Sequence, residues 1–293
     1  MQLDSTRIAI RERGFAEILD LSLRIVIAYF RPLVWRMSLT VVPLMILNDW
    51  LVGWAAGDSQ SGGESMRYLG TMALLVFFEA PLMSVPMTVF LGKALFLDEA
   101  GWRDTWRIVS KTWFSLVWCQ LAMRGLVLVW WIIFQTGEVG MGVTATTLVV
   151  LLSLYAFTLR AARPFINEII LLELNPLRSR GPGTLTVGKR SSSMHGPVTG
   201  KLMAEWSWTV ILAVLLVLSL SGSVWFVRST LLFNWNLDWT MVRLVIPLAM
   251  WIVASYMAVV RFMSYLDLRI RREGWEVELL VRAAATQLKG SPA

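Results

Sequence analysis

The chain has 293 residues, 56% hydrophobic and 16% charged, with a mean hydropathy of +0.61; a soluble domain carries about 25% charge. The net charge of +7 comes with no nucleic-acid module, so it argues against a nucleic-acid partner and for basic loops that face anionic lipid. One cysteine, Cys119, and one histidine, His195, exclude an intrachain disulfide and leave metal sites and Ser-His or Cys-His catalysis without parts; no metal and no cofactor are expected.

The N-terminus carries Arg7, Arg11 and Arg13 without a compact apolar core and cleavage site, so no removable signal peptide is read there. From Gly14 to Phe30 the pattern is helical. Arg13, Glu17, Asp20, Arg24 and Arg31 fall on one narrow stripe, and Phe15, Ile18, Leu19, Ile25, Val26, Ile27 and Phe30 cover the rest. Such a helix lies along a membrane surface or packs on the rest of the protein. Arg31-Pro32 ends the run.

Six apolar segments follow, each near or above the roughly 20 residues a membrane helix needs. The first runs from Leu33 to Trp54, with Trp35, Trp50 and Trp54 at its interfaces and Pro43 inside. The second runs from Arg67 to Phe96, where Glu79, Pro81 and Pro86 predict a tilt or a break. A charged, Trp-containing segment from Asp98 to Trp113 precedes the third, Trp113 to Gln135, which has Arg124 near its centre. The fourth is Met141 to Ala162. Residues Asn175 to Lys201, rich in Gly, Ser, Arg and Pro, read as a loop. The fifth is Met203 to Phe226 and the sixth Trp239 to Tyr265, followed by an amphipathic tail to Lys289. The expected fold is an all-α polytopic membrane protein: six transmembrane helices in three hairpins, with amphipathic interfacial helices on the cytoplasmic side.

Charge sets the orientation. Residues 1–36, 93–111, 160–201 and 261–293 hold 23 of the 27 Lys and Arg; Arg67, Arg124, Arg228 and Arg243 are the rest. With six spans, the positive-inside rule then places both termini in the cytoplasm. The chain is read as one membrane domain, 1–293. It divides into 1–97, 98–174, 175–265 and the tail 266–293. A Leu-acid junction recurs at Asp20, Asp98, Glu173 and Asp267. A three-fold repeat and a chance product of leucine-rich helix ends both account for it. An acid in a helix's first turn stabilises its N-terminus by about 0.3–1 kcal/mol, so each junction is expected to mark the handover from span to surface helix.

Glu79 and Arg124 fall deep in their spans. A charge there costs several kcal/mol and must find a partner, and the economical partner of each is the other. That pair reads as a structural ion pair, or as a relay or binding site. Asn48, Asp49, Arg228 and Arg243 read as solvated loop ends, and Asn167 and Glu168 as surface-helix polar groups or the lining of a cytoplasmic vestibule.

Three stretches carry a resemblance: Glu17 to Asp20 through Phe30 to Leu33, Arg163-Pro164-Phe165-Ile166-Asn167-Glu168 through Glu173, and Tyr265 to Glu278. In them the chain resembles bacterial six-span proteins of the glycerophosphoryl diester phosphodiesterase membrane-domain type. The resemblance implies a bacterial cytoplasmic (inner) membrane location. It implies no catalysis, because the soluble barrel of the fusions that give the family its name has no room here, and no functional residue carries over. The function expected is a non-enzymatic scaffold or accessory subunit that holds lipid, a partner protein or a second copy. The alternative is a permease for a small molecule, ion or lipid, built on the kinked spans and the Glu79/Arg124 pair. A membrane enzyme ranks third, since no nucleophile, metal cluster or acid–base pair is assembled in one place.

Overall fold

The computed structural model describes residues 13–53, 62–95, 101–136, 142–179, 181, 184–233 and 235–273. All regular structure among these residues is helical. Five helical stretches are long and apolar enough to cross a membrane: Phe30–Val52, Ser65–Ala94, Val143–Ala162, Val187–Leu232 and Met241–Arg272. A shorter apolar helix covers Leu126–Gln135.

The first helix, α1 (Phe15–Ala28), buries Ile18, Ser22 and Ile25, which the 3.6-residue period places on one face. Asp20 and Arg24 point away, pair at 3.0 Å and stay more than half exposed. Tyr29 interrupts the helix, and α2 (Phe30–Val52) begins at once. The break expected at Arg31-Pro32 therefore falls two residues earlier. Pro32 sits in the first turn of α2, where a missing N–H costs nothing.

The second apolar stretch divides into α3 (Gly62–Met83) and α4 (Val85–Ala94), with a turn at Ser84 between Pro81 and Pro86. The third does not form one helix. Its first part belongs to α5 (Trp102–Leu116), a π-helical turn follows at Val117–Ala122, and α6 (Leu126–Thr136) restarts after Gly125. Gly125 has φ +75°, a left-handed conformation that costs other residues about 1–2 kcal/mol. At about 1.5 Å per residue, the eleven residues of α6 reach only about 17 Å.

The next pair is α7 (Val143–Ala162) and the short α8 (Ile166–Leu172), parted by Arg163-Pro164. The stretch read as a basic loop holds a helix, α9 (Val187–His195), capped by Thr186, whose side chain accepts from the Lys189 N–H. Val187, Ser191 and Met194 form its buried side. Two long helices complete the chain. α10 (Thr199–Leu232) starts four residues before the expected span and ends six after it. α11 (Ile246–Glu273) follows a π-helical turn at Met241–Val245 and runs straight through Tyr265, Leu266 and Asp267. The handover expected there does not occur within the described residues; the tail beyond Glu273 lies outside them.

α11 is the central element, packed against α1, α3 and α10. Its Trp251, Val259 and Phe262 are fully buried with Met83, Leu91 and Leu33 in the largest apolar cluster. A second cluster joins α2, α3 and α6 through Val52, Leu75, Phe78 and Ile133. A third joins α4, α8 and α9 through Val89, Ile169, Ile170 and Met194.

Candidate functional site: an arginine-floored groove

The site begins with proline chemistry. Pro81 has no N–H, so the Phe77 carbonyl one turn back loses its helical donor. Arg160, in the last turn of α7, replaces it. Its Nη1 donates to the Phe77 carbonyl and its Nη2 to the Phe78 carbonyl at 2.8 Å. The guanidinium also lies over the Phe77 ring, 4.1 Å from the centroid, a favourable cation–π position. Re-satisfying backbone groups freed by proline is the usual condition for proline in a membrane helix.

The turn at Ser84 is met in the same way. The Pro81 carbonyl accepts from Ser84 Oγ at 2.8 Å and from Asn167 Nδ2 at 2.7 Å. Asn167 Nδ2 also reaches Ser84 Oγ at 3.2 Å, and its Oδ1 accepts from Gln120 Nε2. Arg261 of α11 donates from Nη2 to Ser84 Oγ and from Nε to Glu168 Oε1, both at 2.8 Å. Asn167 and Glu168 are buried to 1% and 0% exposure, so they are neither surface groups nor the lining of an open vestibule. They brace the α3–α4 break from α8.

Arg124 lies at the α6 break, buried, and its Nη2 has no hydrogen-bond partner among the described residues. The charges near enough to act on it are Arg261 and Glu168; Arg160 in turn feels Arg124 and Arg261. Three guanidiniums thus lie near one another with Glu168 the carboxylate beside two of them, and among the described residues Glu168 Oε2 is buried without a hydrogen-bond partner.

The expected Glu79–Arg124 pair does not form. Glu79 is fully buried, and its Oε2 accepts from Asn48 Nδ2 at 2.8 Å and its Oε1 from Trp130 Nε1 at 2.9 Å. Two neutral donors, from α2 and α6, meet the carboxylate instead of a cation. Asn48 is correspondingly buried rather than a solvated loop end. Its neighbour Asp49 holds Arg243 at 2.9 Å, and Arg228 and Asp238 form a forked pair.

The junction acids separate into different roles, and none of the three described ones stands at the first turn of a helix. Asp20 is exposed on α1, and Asp98 lies outside the described residues. Glu173 follows the last residue of α8 and is a clamp. It accepts from Arg190 at 2.6 and 2.9 Å, from Asn175 at 2.9 Å and from the Tyr265 hydroxyl at 2.8 Å. Asp267, inside α11, accepts from the Arg13 N–H at 2.8 Å and from Arg271 at 2.7 Å, tying the start of α1 to α11. His195 is buried and structural. Its Nε2 accepts from the Phe165 N–H at 3.4 Å, which leaves Nδ1 to donate to the Ser191 carbonyl at 2.7 Å.

Above the three arginines lies a groove of about 460 Å³ between α3, α10 and α11. Its floor includes Arg124, Arg160 and Arg261, and Glu205, paired with Lys201 at 3.5 Å, stands at the same end. Its walls are apolar, running along α10 from Leu202 to Leu218. At about 1.5 Å per residue those sixteen steps span about 24 Å. Val214 and Leu218 on that wall are 53% and 62% exposed, so the groove opens sideways along α10. Sequence reasoning missed Ser84, Gln120, Arg160 and Arg261. The available signal was Pro81, since a proline inside a span calls for a side-chain donor.

Among the described residues, no group of three or more His, Cys, Asp and Glu is placed to hold a metal. No family model, curated protein or solved structure matches the chain.

Proposed function

We propose that this is a non-enzymatic bacterial inner-membrane protein that holds a lipid in the lateral groove, acting as a scaffold or accessory subunit. In this reading α6, with the π-helical turn before it, completes a sixth crossing as a broken helix. The chain then makes three hairpins with both termini in the cytoplasm, and the arginine end of the groove faces inward. The resemblance to the glycerophosphoryl diester phosphodiesterase membrane-domain type accords with that layout. The observation that carries the reading is the groove. Its apolar wall of about 24 Å along α10 exceeds the roughly 15 Å of hydrocarbon in one bilayer leaflet, and it opens sideways through Val214 and Leu218.

The test is the lipid content of protein purified in mild detergent, read by native mass spectrometry. Ala213 lines the groove, and Ala213→Trp fills it. Wild type should retain lipid that the variant has lost. Equal lipid on both overturns the proposal.

A permease is the second reading, favoured by one observation. The groove reaches buried Arg124 beside two helix breaks, at Ser84 and Gly125, and broken helices are where transporters place their binding sites. Movement of a labelled lipid between leaflets of reconstituted vesicles, abolished by Ala213→Trp, would favour it.

A further inference from the structure

We infer that the inner end of the groove is a headgroup site for an anionic phospholipid, with Arg124 as the residue that takes the phosphate. This rests on the groove being a lipid site and adds the class of lipid. Three features point to it. Arg124 is 4% exposed, lines the groove, and leaves Nη2 without a partner among the described residues. A buried guanidinium is costly until an anion meets it. The other two arginines have committed their Nη groups: Arg160 to the Phe77 and Phe78 carbonyls, and Arg261, through Nη2, to Ser84. They hold charge in place and leave Arg124 free to bind. The balance is also wrong for a closed structural network, since Arg124 and Arg261 both act on Glu168, Arg160 adds a third positive charge beside them, and Glu205 is occupied by Lys201.

An anion at this point is continuous with the apolar walls. Arg124, Arg160, Arg261 and Leu202 share one end of the groove, and Val217 and Leu218 lie at the other. A free phosphate satisfies the first end alone, and a neutral lipid the second alone. An anionic glycerophospholipid satisfies both. A phosphate oxygen accepting from a guanidinium makes a charge-assisted hydrogen bond, about twice as strong as a neutral one.

The experiment uses the full chain, delipidated in detergent and offered phosphatidylglycerol or diacylglycerol with identical acyl chains, or glycerol 3-phosphate. Occupancy is read by native mass spectrometry on wild type, Arg124→Gln, Arg124→Lys and Ala213→Trp. Wild type should hold phosphatidylglycerol roughly tenfold better than diacylglycerol, which has no phosphate, the scale of one charge-assisted hydrogen bond. Arg124→Gln should bring the two lipids level, Arg124→Lys should keep part of the preference, and Ala213→Trp should lose both. Arg124→Gln removes an unpaired buried charge, so its melting temperature should not fall. Equal binding of the two lipids by wild type, with both lost in Ala213→Trp, overturns the headgroup site and leaves the groove reading standing. Lipid binding untouched by Ala213→Trp overturns both. Glycerol 3-phosphate binding that depends on Arg124, without any lipid preference, overturns the lipid as the source of the phosphate.

Discussion

If Arg160 is held in the interior by the Phe77 carbonyl that Pro81 frees, its contribution to stability must depend on Pro81. In wild type, Arg160→Met leaves the Phe77 and Phe78 carbonyls without the guanidinium donors they now have. A buried acceptor left unsatisfied costs about 1–3 kcal/mol. Against that, methionine relieves the desolvation of a buried charge, so the cost of the single substitution is a difference of large terms. A double-mutant cycle cancels the terms common to both backgrounds. In the Pro81→Ala background, residue 81 regains an N–H, and the helix can satisfy the Phe77 carbonyl unaided. One of the two carbonyls then no longer needs Arg160. The expected coupling is about 1–2 kcal/mol, the larger loss falling in the proline background.

The assay is SDS-induced unfolding in mixed micelles, lipid-free, of wild type, both single variants and the double variant. Lipid-free conditions matter because Arg160 also lines the groove. Additive losses, with coupling inside about 0.5 kcal/mol, would refute the proline-donor account and leave Arg160 a general packing residue.

Three further outcomes follow from single contacts. Glu173→Gln keeps the size of the clamp but removes the charge facing Arg190 and Arg269; it should lower stability by about 2–3 kcal/mol in the same unfolding assay, and an unchanged midpoint would refute the clamp. Gly125→Ala meets the left-handed φ of +75° and the Leu152 methyl at 3.3 Å, so a loss of about 1–2 kcal/mol is expected, while Gly142→Ala, which meets nothing within 4 Å, should sit near zero. The hydrogen bond from Arg228 holds the Asp238 carboxyl below its ordinary value. A depressed acid contributes stability above its unfolded pKa, near 4, and loses it as pH falls through the folded value. Wild type should therefore exceed Asp238→Asn in stability at pH 7, and the two should converge as pH falls through the lowered folded value; a gap that persists once the carboxyl is protonated would place the effect outside the ion pair.

Helix existence was legible because length and hydropathy suffice for it. Each of the five stretches long enough to cross a membrane overlaps an expected apolar segment, although Val187–Leu232 also takes in part of the stretch read as a loop. Breaks were legible only where proline announced them. Pro81 and Pro86 marked the turn at Ser84, whereas the Arg124-Gly125 break hides inside a run whose hydropathy stays high on both sides. α9 was masked by composition. Its Gly, Ser and Arg content reads as loop, yet Val187, Ser191 and Met194 fall at helical spacing behind a Thr cap.

The polar residues went astray for one physical reason. Matching Glu79 to Arg124 assumes that a buried charge needs an opposite charge, while a carboxylate is also satisfied by neutral dipoles, as Asn48 and Trp130 show. The arginines obey the same rule in reverse. Arg160 is held by two carbonyls and Arg261 by one carboxylate and one hydroxyl. Counting donors and acceptors rather than charges leaves over Arg160 Nε and Arg124 Nη2, and of these two residues only Arg160 has carbonyls to hold it, which singles out Arg124. That bookkeeping starts in the sequence, because each proline inside an apolar run announces a carbonyl that some side chain must meet. Once Pro81 has claimed Arg160 and the Ser84 turn has claimed Asn167 and Arg261, the cation that remains on the floor of the groove is Arg124.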